Sequence, residues 1–133
     1  MPDHIFKLDN PVWYALTETH SHLSVPLDNL RFYRSDHCTF GAIYDENKPY
    51  SGFEVYRQTT EKFYVVGKKP ILPKEFELIQ DVKCDQMVFD RYPPERLVPE
   101  KEIIELDPFQ YDELINLINL VMPGYFREKT PEM

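Results

Sequence analysis

The clearest hydrophobic pattern of the chain lies near its end, in EIIELDPFQYDELINLINLVMPGYF at 102–126. Residues 102–106 form a short apolar, β-branched run that predicts a strand. Asp107 then offers a helix N-cap, Pro108 suits the first helical position, and Gln110 stands three after the cap, as a capping box requires. From Tyr111 the apolar residues fall at 111, 114, 115, 118, 121 and 122, one face of a helix. Leu114, Ile115, Ile118, Val121 and Met122 are therefore expected in a core. Proline cannot continue a helix and glycine accepts the left-handed geometry after one, so Met122-Pro123-Gly124 marks the stop. A lone strand and helix cannot bury both their faces. Either upstream segments cover this unit or it belongs to a larger domain.

Upstream, Asn10 and Pro11 resemble a cap with proline at the first helical position, and Trp13, Leu16, His20 and Leu23 follow at helical spacing. These predict a first helix of about a dozen residues. Asp28-Asn29 predicts a turn, and the pattern predicts strands at 30–34, 40–44, 52–57 and 62–66. Residues 45–49, DENKP, are dense in turn formers. The run at 76–82 is ambiguous, and 86–89 predicts a buried strand. Three prolines in the nine residues 91–99 mark a stiff connection. The expected organisation is an α+β module at 1–90, a proline-rich connection at 91–100, and a strand-helix unit at 101–133. The fold class is a small mixed sheet with flanking helices, followed by that incomplete unit.

Composition narrows the function classes. The 133 residues carry 42% hydrophobic and 14% aromatic side chains, enough for a globular core. The net charge of −8 gives no generic attraction to nucleic acid or anionic membranes. Residues 100–133 hold eight acidic and three basic residues, so most of the excess lies there. No apolar run approaches the roughly 18 residues that cross a bilayer. The first residues lack the pattern of a signal peptide. With only Cys38 and Cys84, no disulfide framework is implied, and a cytoplasmic protein with reduced thiols is expected.

Candidate chemistry is sparse. His20, His22, His37, Cys38 and Cys84 are zinc-type ligands, yet no CxxC or HExxH spacing groups them. On a helix His20 and His22 point about 200° apart. No metal site is expected. An activated Cys38 or Cys84 needs a cationic neighbour or a helix N-terminus, and His37, adjacent to Cys38, points away from it in a strand. Asp112 and Glu113 occupy the polar face of an amphipathic helix, where acidic pairs are solvated. The four glycines, at 41, 52, 67 and 124, are scattered, so neither GxGxxG nor a Walker loop is present. No catalytic residue is assigned.

Four segments in this order carry a family resemblance: NPVWYALTETHSHL at 10–23, FYVVG at 63–67, CDQMV at 84–88 and LINLVMPGYFREKTPEM at 117–133. Together they resemble the N-terminal portion of bacterial GNAT-family N-acetyltransferases of an FR47-like group. The resemblance implies an N-terminal module followed by the opening strand and helix of an acetyltransferase domain. It also implies acetyl-CoA as the cofactor of the full-length family member and an amine of unknown identity as acceptor. In that family the pyrophosphate rests on the backbone of an R/Q-x-x-G-x-G/A loop, which this chain lacks. The chain alone is thus expected to bind no acetyl-CoA and to be inactive. By the same resemblance Tyr125, Phe126 and Arg127 border the acceptor cleft as substrate-binding residues. The charged run at 127–130, REKT, departs from the family's pattern. The alternative class is a non-enzymatic, acidic interaction module. In either case the partner is expected to be the remaining acetyltransferase half, a second copy or a docking protein.

Overall fold

Strand residues alternate between the two faces of a sheet, so adjacent buried residues such as Phe32 and Tyr33 demand cover on both sides. They belong to β2 (Leu30–Tyr33), an inner strand of a four-stranded sheet. The computed structural model describes residues 3–89, 91 and 102–133. Strand order in space follows the sequence: β1 (Ser24–Leu27), β2, β3 (Phe40–Ile43) and β4 (Tyr64–Val65). β1 and β2 form an antiparallel hairpin in which Leu27 opposes Leu30. Asp28 enters the turn at φ +58°, a conformation that aspartate tolerates better than most residues. β2 and β3 are antiparallel with Phe32 opposite Gly41, and β4 joins β3 in parallel.

Helix α1 (Pro11–Thr17) covers one face, burying Leu16 beside Leu23 and Tyr33. Helix α2 (Phe53–Tyr56) covers the other, where Phe53 and Tyr56 pack with Leu30 and Phe32. The mixed α+β architecture of a small sheet with flanking helices is therefore present. The prediction of strands at 30–34, 40–44 and 62–66 holds with trimmed ends.

Several expectations are corrected. Residues 53–56 are helical rather than extended: Phe53 and Tyr56, three apart, are both buried while Val55 is exposed, and the Tyr56 amide bonds the Gly52 carbonyl. The first helix stops at Thr17, whose hydroxyl bonds the Trp13 carbonyl at 3.0 Å, and Ser21–Leu23 form a separate 3-10 turn. Leu16 and Leu23 still share one cluster. Asn10 does not cap α1; its amide donates instead to the Ile43 carbonyl at 2.7 Å, tying the helix start to β3. The hairpin strand β1 has no counterpart among the predicted elements.

The second half differs more. Residues 102–106 form no strand and no helix, with Ile103 83% exposed. Residues 86–89 are likewise outside the sheet, and Met87 is almost fully exposed. A strand exists only with a hydrogen-bonded neighbour, and the described sheet ends at β4. Helix α3 (Tyr111–Val121) forms where the periodicity places it, behind a 3-10 turn at Pro108–Gln110. The capping box of that turn is complete: Asp107 accepts from the Phe109 amide at 2.8 Å and Gln110 accepts from the Asp107 amide at 3.1 Å. None of the residues of α3 is buried, so its stripe is not a core within these residues. The proline-rich connection at 91–100 lies, apart from Arg91, outside the described residues. No helix among the described residues is long and apolar enough to cross a membrane.

Candidate functional site

Gly124, at φ +93°, redirects the chain after α3 and brings the last residues back to the sheet module. Tyr125 stacks on Tyr64 of β4, with centroids 5.3 Å apart and planes at 20°, and meets Phe40 of β3 edge-on. Burial and the neighbouring Tyr125 phenol push the Tyr64 hydroxyl above its ordinary pKa. Arg127 then donates through Nε to the Ser35 carbonyl at 3.1 Å. The Lys129 amide bonds the Asp36 carbonyl at 2.9 Å, and the Thr130 hydroxyl donates to the His37 carbonyl. Three consecutive carbonyls of the β2–β3 connection are thus read by three residues more than ninety positions later.

Between the two segments lies an open depression of about 450 Å³, lined by Ser35, Asp36, Thr59, Phe126, Arg127 and Glu128. Of the three residues assigned to substrate binding, Phe126 and Arg127 line it. Tyr125 does not; its ring is spent on Tyr64 and Phe40. Asp36 is the charged hub of the surroundings. Its carboxylate faces His37 Nδ1 at 2.8 Å, Lys129 Nζ at 3.3 Å and Arg34 Nε at 3.8 Å. The hydrogen bond from His37, aided by Lys129, holds the Asp36 carboxyl below the ordinary carboxylate range. Nothing in the local sequence marks Ser35, Asp36 or Thr59, because their role depends on a contact with distant residues.

The remaining chemistry-bearing residues do not converge. His20 bonds the Tyr33 hydroxyl at 2.8 Å, whereas His22 is exposed, so the two diverge. Cys38 is half-buried and its thiol is pushed up by burial; Cys84 is exposed. Tyr56 donates to the Tyr33 carbonyl at 2.8 Å, and burial raises its phenol strongly. Among the described residues no group of three His, Cys, Asp or Glu side chains is placed to hold a metal ion.

The described residues do not fit an acetyl-CoA pyrophosphate either. Such an anion needs free backbone N–H groups at a helix start, with glycine allowing close approach. The 3-10 turn that leads into α3 is capped by the Asp107 carboxylate, which repels phosphate. α1 begins with proline and α2 is a single turn. Gly41, in β3, lies under the Phe32 ring rather than in a loop. No protein-family model, curated protein or solved structure matches this chain.

Proposed function

We propose that these residues are the front portion of an acetyl-CoA-dependent N-acetyltransferase that transfers acetyl to an amine, with the cofactor loop supplied by sequence beyond them. One observation carries the reading. Residues 102–106, which join no strand, and the helix α3 that follows them leave apolar side chains in water: Ile104 is 62% exposed and Leu120 82%. Surface of that kind asks for further strands and helices to cover it. The motifs at 10–23, 63–67, 84–88 and 117–133 resemble the opening of GNAT enzymes, where such elements follow. Phe126 and Arg127, on the depression beside Asp36, fit a place at the acceptor edge of that larger site. The acidic Glu128 on its rim suits a cationic amine.

The second reading, an acidic interaction module, draws on the same exposed stripe and replaces the missing half with a separate protein or a second copy. The gene beyond codon 133 separates the two. An open frame that encodes R/Q-x-x-G-x-G/A, with acetyl-CoA binding in the longer product and none in residues 1–133, supports the transferase. A stop codon at that point, or micromolar acetyl-CoA binding by residues 1–133 alone in calorimetry, overturns it.

A further inference from the structure

We propose that the depression beside the β2–β3 connection binds a small amino acid, with Arg127 gripping its carboxylate and Glu128 meeting its ammonium. The argument begins with the hydrogen bonds Arg127 already makes. Its Nε donates to the Ser35 carbonyl at 3.1 Å, and its backbone amide bonds the Thr130 hydroxyl at 2.7 Å. Main chain and side chain are thus both anchored, and the residue is half-buried. A guanidinium carries five donors in a planar fork. With Nε committed to Ser35, the two Nη groups remain as an end-on pair, the arrangement that holds both oxygens of a carboxylate.

The neighbouring charges decide what Arg127 can take. Asp36 is satisfied by other groups: His37 bonds it at 2.8 Å, and Lys129 and Arg34 lie 3.3 and 3.8 Å away. Among the described residues no carboxylate lies within ion-pair distance of Arg127. Glu128, exposed on the same wall, likewise enters no ion pair among them. One cation and one anion without partners, side by side, suit a ligand that carries both charges. A phosphate dianion would set one arginine against two carboxylates, whereas a carboxylate monoanion matches it.

The rest of the lining agrees. Thr59 spends its hydroxyl proton on the Tyr56 carbonyl at 2.8 Å, so its oxygen is left to accept from an ammonium. Phe126 gives an apolar wall, and about 450 Å³ is the size of a small-molecule site. Binding rests on these contacts alone; only the identification of this amino acid as the acetyl acceptor rests on the transferase reading.

The test titrates residues 1–133 at fixed ionic strength with L-phenylalanine, phenylacetate, 2-phenylethylamine and inorganic phosphate, following the backbone amide shifts of Ser35, Arg127 and Glu128 by NMR. Phenylalanine is expected to bind tightest and phenylacetate a few-fold more weakly, with 2-phenylethylamine and phosphate behind both. Arg127→Lys keeps the charge without the fork and should weaken phenylalanine and phenylacetate alike by about tenfold, leaving 2-phenylethylamine unchanged. Glu128→Gln, on the surface, should remove the advantage of phenylalanine over phenylacetate. No shift with phenylacetate, shifts as strong with phosphate, or undiminished phenylacetate binding in Arg127→Lys would overturn the carboxylate site. Phenylalanine bound no tighter than phenylacetate would overturn the amino acid assignment. Binding in residues 1–133 without acetylation of the bound amino acid by a longer gene product would instead count against the transferase reading and leave the site standing.

Discussion

Phe32 and Tyr56 lie flat on one another, with ring centroids 4.0 Å apart and planes at 13°. The pair joins strand β2 to helix α2, and Phe53 and Phe63 meet it edge-on. Tyr56 also reaches through the core to donate to the Tyr33 carbonyl at 2.8 Å. One residue therefore packs on one face and satisfies backbone belonging to the strand. Phe32→Ala is expected to cost about 3–5 kcal/mol as a core cavity. Tyr56→Phe keeps the stack and strands one buried carbonyl, at about 1–3 kcal/mol. Urea unfolding of both variants checks the order; a larger loss in Tyr56→Phe would move the weight of the core from packing to the hydrogen bond.

Gly41 explains how the stack fits. A Cβ there would sit 2.3 Å from Phe32 Cδ1 and 2.6 Å from the Arg31 carbonyl oxygen, and backbone cannot move aside cheaply. Gly41→Ala is expected to destabilise by about 1–3 kcal/mol or more through overpacking. Gly124→Ala is a useful contrast, since its φ is +93° but nothing lies within 4 Å of the added carbon. Its cost is backbone strain alone, about 1–2 kcal/mol. Matching losses at the two positions in thermal unfolding would mean that the Phe32 ring yields.

These contacts also show what the chain reveals locally. The turn at Asp28-Asn29, the β2 and β3 strands and the capped helix α3 are legible because alternation, helical periodicity and capping residues act over a few positions. The α2 segment reads as a strand because Phe53 and Val55 mimic alternation, while burial selects Phe53 and Tyr56. Residues 102–106 read as a strand for a different reason: the apolar run is real, but pairing depends on a neighbour that the described residues do not provide. The depression was hidden altogether. Asp36 and Arg127 meet there through chain reversal at Gly124, and no window of sequence contains both. The resemblance implies a cleft edge for Tyr125, Phe126 and Arg127 alike and gives no sign that Tyr125 stacks on Tyr64.

The two thiols differ in access. Cys84 is exposed, whereas Cys38 packs against the Leu16, Leu23 and Tyr33 cluster and its thiol is pushed up by burial. Reaction requires the thiolate, so an aromatic disulfide reagent at neutral pH should label one thiol rapidly and the second only on unfolding. Mass spectrometry should place the early adduct on Cys84. Equal rates would show that the α1 side of the sheet opens readily.

Acid should weaken the link between the two ends of the chain. The hydrogen bond from His37, with Lys129 adding to it, lowers the Asp36 carboxyl below its ordinary value. The folded state thus favours the ionised form. That contribution is complete above the unfolded aspartate value of about 3.9 and is lost as pH falls through the lower folded value. Between about pH 5 and pH 3 the melting temperature of the native chain should fall more than that of Asp36→Asn, which has no such carboxylate to protonate. Parallel falls in the two proteins would remove Asp36 from the account of acid sensitivity.

Helix α3 supplies the sharpest test of what covers the second half. Leu117 and Val121, four residues apart and on one side of the helix, are 57% and 68% exposed. In residues 1–133, Leu117→Lys with Val121→Lys should change stability by no more than about 0.5 kcal/mol, as surface substitutions do. Asp107→Ala, which removes the carboxylate from the capping box, should cost the helix about 1 kcal/mol, read as lost helical circular dichroism. In a longer gene product whose further strands and helices pack on α3, the lysine pair places two charges in a buried contact. Such burial costs several kcal/mol unless the charges find partners, and the longer protein should unfold or lose its compact state. A small effect in both proteins would mean that this side of α3 stays in water throughout. That outcome would remove the observation on which the transferase reading rests.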